Sequence, residues 1–110
     1  MSKRALPTLT HLHYLVLGVL RTEDQPGRVL RQALASYGVR GSGPAFYQLM
    51  ARIERAKLVE GWYEQVTVGD QAVTERRYRI TREGARLWAE AHRFYDELAR
   101  LPVRFRWSDA

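Results

Sequence analysis

Residues 45–68, AFYQLMARIERAKLVEGWYEQVTV, contain a change of period that decides the fold. Phe46, Leu49, Met50, Ile53 and Ala56 recur at the 100° step of one helix face. From Val59 the chain turns to β-branched and aromatic residues, which suit a half-buried strand. Gly69, Asp70 and Gln71 supply a turn, and AVTERRYRI (residues 72–80) returns. A helix running directly into a hairpin is the expected product.

Working toward the N-terminus, Ser42 is placed to cap that helix, with Pro44 in its first turn. The glycine-rich stretch YGVRGSG before it is a turn region, and Gly38 is a stop signal for a preceding helix. That preceding helix follows Pro26, which suits a first helical position, and buries Val29, Leu30, Ala33 and Leu34. A first helix starts at Thr8 or Thr10 and carries Leu12, Leu15, Val16, Val19 and Leu20 on one face. Tyr14 and Leu17 add apolar groups on its other side, so it needs cover on both sides. One cover is its own domain and the other is expected from a partner chain.

Working toward the C-terminus, Thr81 caps a last helix, with Glu83 favourably placed in its first turn. Leu87, Ala91, Phe94, Leu98 and Leu101 step by four and three residues in a heptad-like stripe, which Trp88 and Tyr95 widen. Pro102 ends the helix. A small winged domain is too narrow to cover a stripe of that length, so self-association is expected. The dimer interface is expected to comprise Tyr14, Leu17, Leu87, Ala91, Phe94, Leu98 and Leu101.

The fold class is therefore mainly α with a β-hairpin: a winged helix–turn–helix plus a long C-terminal dimerisation helix. The expected division is residues 1–81 for the winged DNA-binding domain, 82–101 for the dimerisation helix and 102–110 for a tail.

Charge sharpens the functional reading. The 110 residues carry 18 Lys plus Arg against 12 Asp plus Glu, a formal net charge of +6, and 16 of the cations are Arg. Residues 26–59 hold Arg28, Arg31, Arg40, Arg52, Arg55 and Lys57 against Glu54 alone, and 76–86 hold five Arg against Glu83. Between them, 60–75 hold four acids and no cation. Clustered arginine suits a polyanion, since its planar donor fork matches phosphates and guanine edges. The outward face of the third helix carries Gln48, Arg52 and Arg55, residue types that read base edges. Ala45 and Tyr47 from its start, and Arg76, Arg77 and Arg79 from the hairpin, complete the expected DNA-binding set. Strand alternation puts Arg77 and Arg79 on the face opposite Tyr78 and Ile80. Lys3 and Arg4 form a candidate phosphate or minor-groove arm, and the tail VRFRW alternates apolar and basic residues.

Other classes fare worse. The chain has no cysteine, which excludes disulfide scaffolds, thiol nucleophiles and cysteine-based metal sites. His11 and His13 stand two apart and point away from each other on a helix, and His92 is alone among charged residues. No nucleophile–base set, phosphate loop or paired carboxylates appear, so neither catalysis, a metal nor a cofactor is expected. The longest near-apolar run, Tyr14 to Leu20, is far short of the ~20 residues that span a bilayer, and a cytoplasmic location is expected. The alternative is a winged-helix module used for protein–protein contacts or nonspecific nucleic-acid binding.

From Leu9 to Leu101 the chain resembles the PadR family of bacterial transcriptional regulators. The resemblance is carried by Tyr47, Met50, Arg52, Ile53, Glu54 and the pair Leu58–Val59, and by Tyr78, Arg79, Ile80, Thr81 and Gly84 at the end of the hairpin. The opening LTHLHYLVLGVL is similar to the family's first helix. Departures are Pro44 and Ala45 where Gly-Thr is usual, Lys57 in place of a Gly, and Arg77 in place of a Tyr. One helix after the wing resembles the shorter subfamily. The resemblance implies a homodimeric repressor that sets a recognition helix and wing from each protomer on a palindromic operator in double-stranded DNA. It also implies a candidate site for a small aromatic effector at the dimer centre, where this sequence offers Trp88, Phe94 and Tyr95.

Overall fold

In the computed structural model, which describes residues 6–104, Thr10 opens α1 (His11–Val19) by accepting the His13 N–H at 3.0 Å. The chain continues through β1 (Gln25–Pro26), α2 (Gly27–Ser36), α3 (Gly43–Arg55), β2 (Val59–Val68), β3 (Gln71–Ile80) and α4 (Arg82–Ala99). The three strands form one antiparallel sheet in the order β1-β3-β2, with Gly61 opposite Tyr78 and Glu60 opposite Arg79. This is the expected winged helix–turn–helix followed by one long helix.

Two details differ from the sequence reading. Pro26 is not the first residue of α2 but its N-cap, and with Gln25 it pairs as a third strand against Arg77 and Tyr78. Two residues are too short to leave a period-2 signature, and an edge is where a sheet tolerates proline. The second concerns α1, which packs between α2 and α4 of its own chain. Leu17 and Ala91 are wholly buried in the core, whereas Leu12, Tyr14, Leu15 and Val19 are half-buried. The expectation that Leu17 and Ala91 face a partner chain is corrected accordingly.

Both helices that flank the turn end in the same way. At the end of α2 the Gly38 N–H donates to the Ala35 carbonyl and the Val39 N–H to Leu34, with Gly38 at φ +84°. At the end of α3, Lys57 donates to Glu54 and Leu58 to Ile53, but Lys57 holds the left-handed position with φ +63°. Lys57 thus stands, in the left-handed region, where the resembled pattern has a glycine.

The exit of α3 is then tied to α4. The Thr81 hydroxyl donates to the Lys57 carbonyl at 2.7 Å while accepting the Gly84 N–H at 3.0 Å, and the Thr81 N–H donates to the Leu58 carbonyl. Gly84 lies against that Leu58 carbonyl so closely that no side chain fits there. The core joins these pieces through Val16, Leu20, Leu30, Phe46, Met50, Ile53, Val59 and Tyr78, and among the described residues it buries no charged side chain.

Candidate nucleic-acid interface

The face of α3 follows from its inner stripe. Ser42 caps the helix by accepting the Ala45 N–H at 3.1 Å, and Phe46, Leu49, Met50 and Ile53 turn into the core. Ala45, Tyr47, Gln48, Arg52 and Arg55 are consequently exposed, as the sequence requires. Arg52 and Arg55 lie in the last turn, where the helix dipole favours cations, and neither makes an ion pair among the described residues. His13 on α1 faces this side. Burial, and secondarily the charge of Arg52, hold its pKa below the ordinary histidine value.

Between α2 and α3 runs a groove of about 700 Å³. It brings Arg28, Arg31 and Arg40 beside Gln48 and Arg52. Sequence reasoning had grouped these three only as part of a basic run. Their place in one groove follows from the turn between the helices, which no local pattern encodes.

The hairpin arginines behave differently from the expectation. Arg76 shares the inward face of Tyr78, because alternation places residues 76, 78 and 80 together. Its guanidinium donates to Glu54 at 2.8 Å and lies over the Tyr63 ring, pinning the sheet to α3. Arg77 is mostly buried and meets three carboxylates: Glu64 at 3.2 Å, Asp24 at 3.4 Å and Glu75 at 3.5 Å. Glu64 and Glu75 oppose each other across the strands, and a cation beside them offsets that like-charge contact. Arg76 and Arg77 are therefore held by carboxylates of their own chain, which leaves them less free for DNA than the sequence alone suggests. Arg79 pairs with Glu60 at 2.8 Å, but both side chains are exposed, so the pair is weak and Arg79 remains open to an anion. Thus the basic block of 76–79 is largely neutralised by the acidic segment that pairs with it.

The aromatic cluster expected to hold an effector is packed within one chain. Tyr14 lies parallel to Trp88 at 5.2 Å and His92 at 5.0 Å, and the Tyr14 hydroxyl and His92 Nδ1 are hydrogen-bonded at 3.2 Å. Rings on opposite faces of an indole stand about 7 Å apart, twice the contact distance, so Tyr14 and His92 share one face. The Arg21 guanidinium, 4.0 Å from the ring centre, takes the other. Trp88 is thus packed against Tyr14, His92 and Arg21 of its own chain and stays half-buried. Tyr95 packs edge-on against Phe94 and tilted against Tyr14.

Toward its C-terminal end α4 emerges from this cover. Leu98 is 48% exposed and Leu101 63%, and with Phe94 and Leu6 they line a second groove of about 560 Å³. Of the expected interface residues, Phe94, Leu98 and Leu101 present apolar surface, whereas Tyr14 and Leu87 pack half-buried on the chain's own core. Lys3, Arg4 and residues 105–107 of the tail lie outside the described residues. No helix among the described residues is long and apolar enough to cross a membrane.

Neither a family model nor a curated protein matches the chain. Solved structures do match. A PadR-like transcriptional regulator from Bacillus cereus aligns with a TM-score of 0.67 at 22% identity, covering 80% of this chain and 84% of that one. A PadR-like transcription factor from Bacteroides fragilis gives 0.63 at 22% identity, covering 80% and 82%. A PadR family transcriptional regulator from Eggerthella lenta gives 0.59 at 31% identity, covering 80% of this chain and 74% of that one. The first two share the fold, and the third adds kinship in sequence over most of both chains. The chain belongs to the PadR family of transcriptional regulators.

Proposed function

We propose that this protein is a dimeric, sequence-specific DNA-binding repressor acting in the cytoplasm, with residues 1–81 as the DNA-binding unit and residues 82–101 as the dimerisation helix. The observation that carries the reading is the partition of charge. Carboxylates occupy Arg76 and Arg77 of the hairpin, while Arg52 and Arg55 on the outward face of α3 and Arg40 in the turn have no acidic partner among the described residues. Gln48, Arg52 and Arg55 read base edges, Ala45 and Tyr47 set how closely the helix approaches, and Arg31, Arg40 and Arg79 grip phosphates.

The exposed apolar end of α4 supports the dimer. The chain's radius of gyration is 17.8 Å, against about 13 Å for a compact domain of this length. An elongated protomer of this kind leaves surface for a second copy to bury. An effector at the subunit seam would meet Phe94 and Tyr95, and would reach Trp88 only by displacing Arg21 from its ring.

The test compares duplex binding with a palindromic operator, found by selection from random sequence, and with a scrambled duplex. Three phosphate-gripping arginines per protomer, six in the dimer, predict a log–log salt slope of roughly −5. Arg52→Ala or Arg55→Ala is expected to cost about 1–3 kcal/mol on the operator and narrow its advantage over the scrambled duplex. Equal binding to both duplexes by the unaltered protein would instead support a nonspecific nucleic-acid module.

A further inference from the structure

We infer that the groove between α2 and α3 is also a small-molecule site, and that its ligand is a medium-chain alkyl carboxylate. DNA recognition by a convex helix face needs donors but no hollow beneath them. Here a trough of about 700 Å³ lies beside the reading face, within the size range of ligand pockets. Its floor is apolar and almost wholly aliphatic, with Leu12, Leu34, Val39, Ala45 and Leu49. The one ring, Phe46, has the Arg31 guanidinium above it at 6.0 Å, so a flat aromatic ligand finds no open ring to stack upon. An alkyl chain needs none.

The rim supplies the charge. Arg31, Arg40 and Arg52 line the groove, and none of the three makes an ion pair among the described residues. Three guanidinium groups around an apolar trough repel one another and match an anionic head on an apolar body. Gln48 and Arg52 belong to both the groove and the reading face. A bound carboxylate therefore competes with DNA for the same groups. This competition, though not the site itself, rests on the DNA-binding reading above.

The site is tested first without DNA. Decanoate, kept below its micelle concentration, is titrated into the full chain by calorimetry, with amide shifts followed at Leu34, Val39 and Ala45. One site per protomer is expected, with affinity falling about fourfold for each methylene removed, as burial of one CH₂ predicts. Arg31→Gln and Arg40→Gln should each weaken binding about tenfold, the worth of a hydrogen bond to a charged group. Ala45→Trp, a substitution at an exposed position, should fill the trough and abolish binding. Binding that ignores chain length, equal binding of decanol or acetate, or full affinity in both arginine variants would overturn the site. In the second arm decanoate is added to the protein on duplex DNA, and the apparent Kd for DNA should rise linearly with free decanoate, doubling where the groove is half occupied in the absence of DNA. Decanoate binding at the groove with unchanged DNA affinity would overturn the competition. Failure of the untreated protein to bind any duplex would remove the DNA-binding reading and leave the first arm to decide the site.

Discussion

Replacing Lys57 by glycine should stabilise the protein, although it removes a whole side chain from the exit of α3. Lys57 sits at φ +63°, in the left-handed region, at the position after the helix cap where two hydrogen bonds close the last turn. An L-residue held there costs about 1–2 kcal/mol, because its Cβ crowds the backbone. Glycine relieves that cost but returns about 0.5–1 kcal/mol through the greater freedom of the unfolded chain. The net gain is about 0.5–1 kcal/mol, which for a chain of this size raises Tm by roughly 3–5 °C. The lysine side chain is exposed and makes no ion pair or hydrogen bond among the described residues, so no contact is lost with it. Lys57→Ala supplies the control, since it removes the ammonium group and keeps the Cβ. Thermal unfolding of the three proteins at one fixed concentration should rank Gly above both Lys and Ala. If Lys57→Ala matched Lys57→Gly, charge and not backbone conformation would be responsible, and the reasoning would fail.

Arg77→Ala should lower stability by about 1–2 kcal/mol, because Asp24, Glu64 and Glu75 lose their shared cation. It should leave the salt slope of DNA binding unchanged, and a slope reduced by about two, one contact from each protomer, would return Arg77 to the phosphate contacts. Gly84→Ala forces a methyl group into the Leu58 carbonyl, and a loss of about 2–3 kcal/mol in urea unfolding is expected; wild-type stability would refute the close approach. Leu98→Asp places a charge on the exposed apolar end of α4 and should convert the dimer to monomer in sedimentation, whereas an unaltered wild-type monomer at tens of micromolar would sink the dimer. The lowered pKa of His13 means that the unfolded chain binds more protons than the folded one just below pH 6.5. Its contribution to stability is therefore complete above that pH and declines as pH falls through the window, and His13→Asn should flatten this part of the urea-midpoint profile.

Most of the fold was legible because it rests on local chemistry. Thr10, Ser42 and Thr81 all cap the helices that their positions implied, and Gly38 ends α2 with the expected positive φ. The switch from period 3.6 to period 2 across Leu58–Val59 set the α3–β2 junction. Long-range pairing was less legible. Arg77 looked solvent-facing because alternation gives only its face of the strand. What covers that face is Asp24, 53 residues earlier in the chain, with Glu64 and Glu75 beside it. Leu17 and Ala91 were misassigned for a related reason: a stripe identifies what must be buried, not which chain buries it. The groove between α2 and α3 left no sequence signal beyond a basic run, since its shape comes from the angle at the turn.

The ties around Lys57 also bear on how a PadR-type dimer would hold its two reading helices in register. α3 is fixed at its C-terminal end twice, by Arg76 gripping Glu54 and by Thr81 binding the Lys57 carbonyl. Thr81 is in turn the cap of α4, and Gly84 in the first turn of α4 rests on Leu58. No flexible linker separates the reading helix from the helix proposed to dimerise. A rotation of α4 at the subunit seam must therefore move α3, or else break a hydrogen-bonded joint in the core-facing part of the molecule. Two bound half-sites stand about 34 Å apart on B-form DNA, so a tilt of a few degrees over the roughly 27 Å of α4 shifts the reading helices by more than a hydrogen bond tolerates. On the proposed dimer, operator spacing is accordingly set by packing at Phe94, Leu98 and Leu101, residues that touch no DNA.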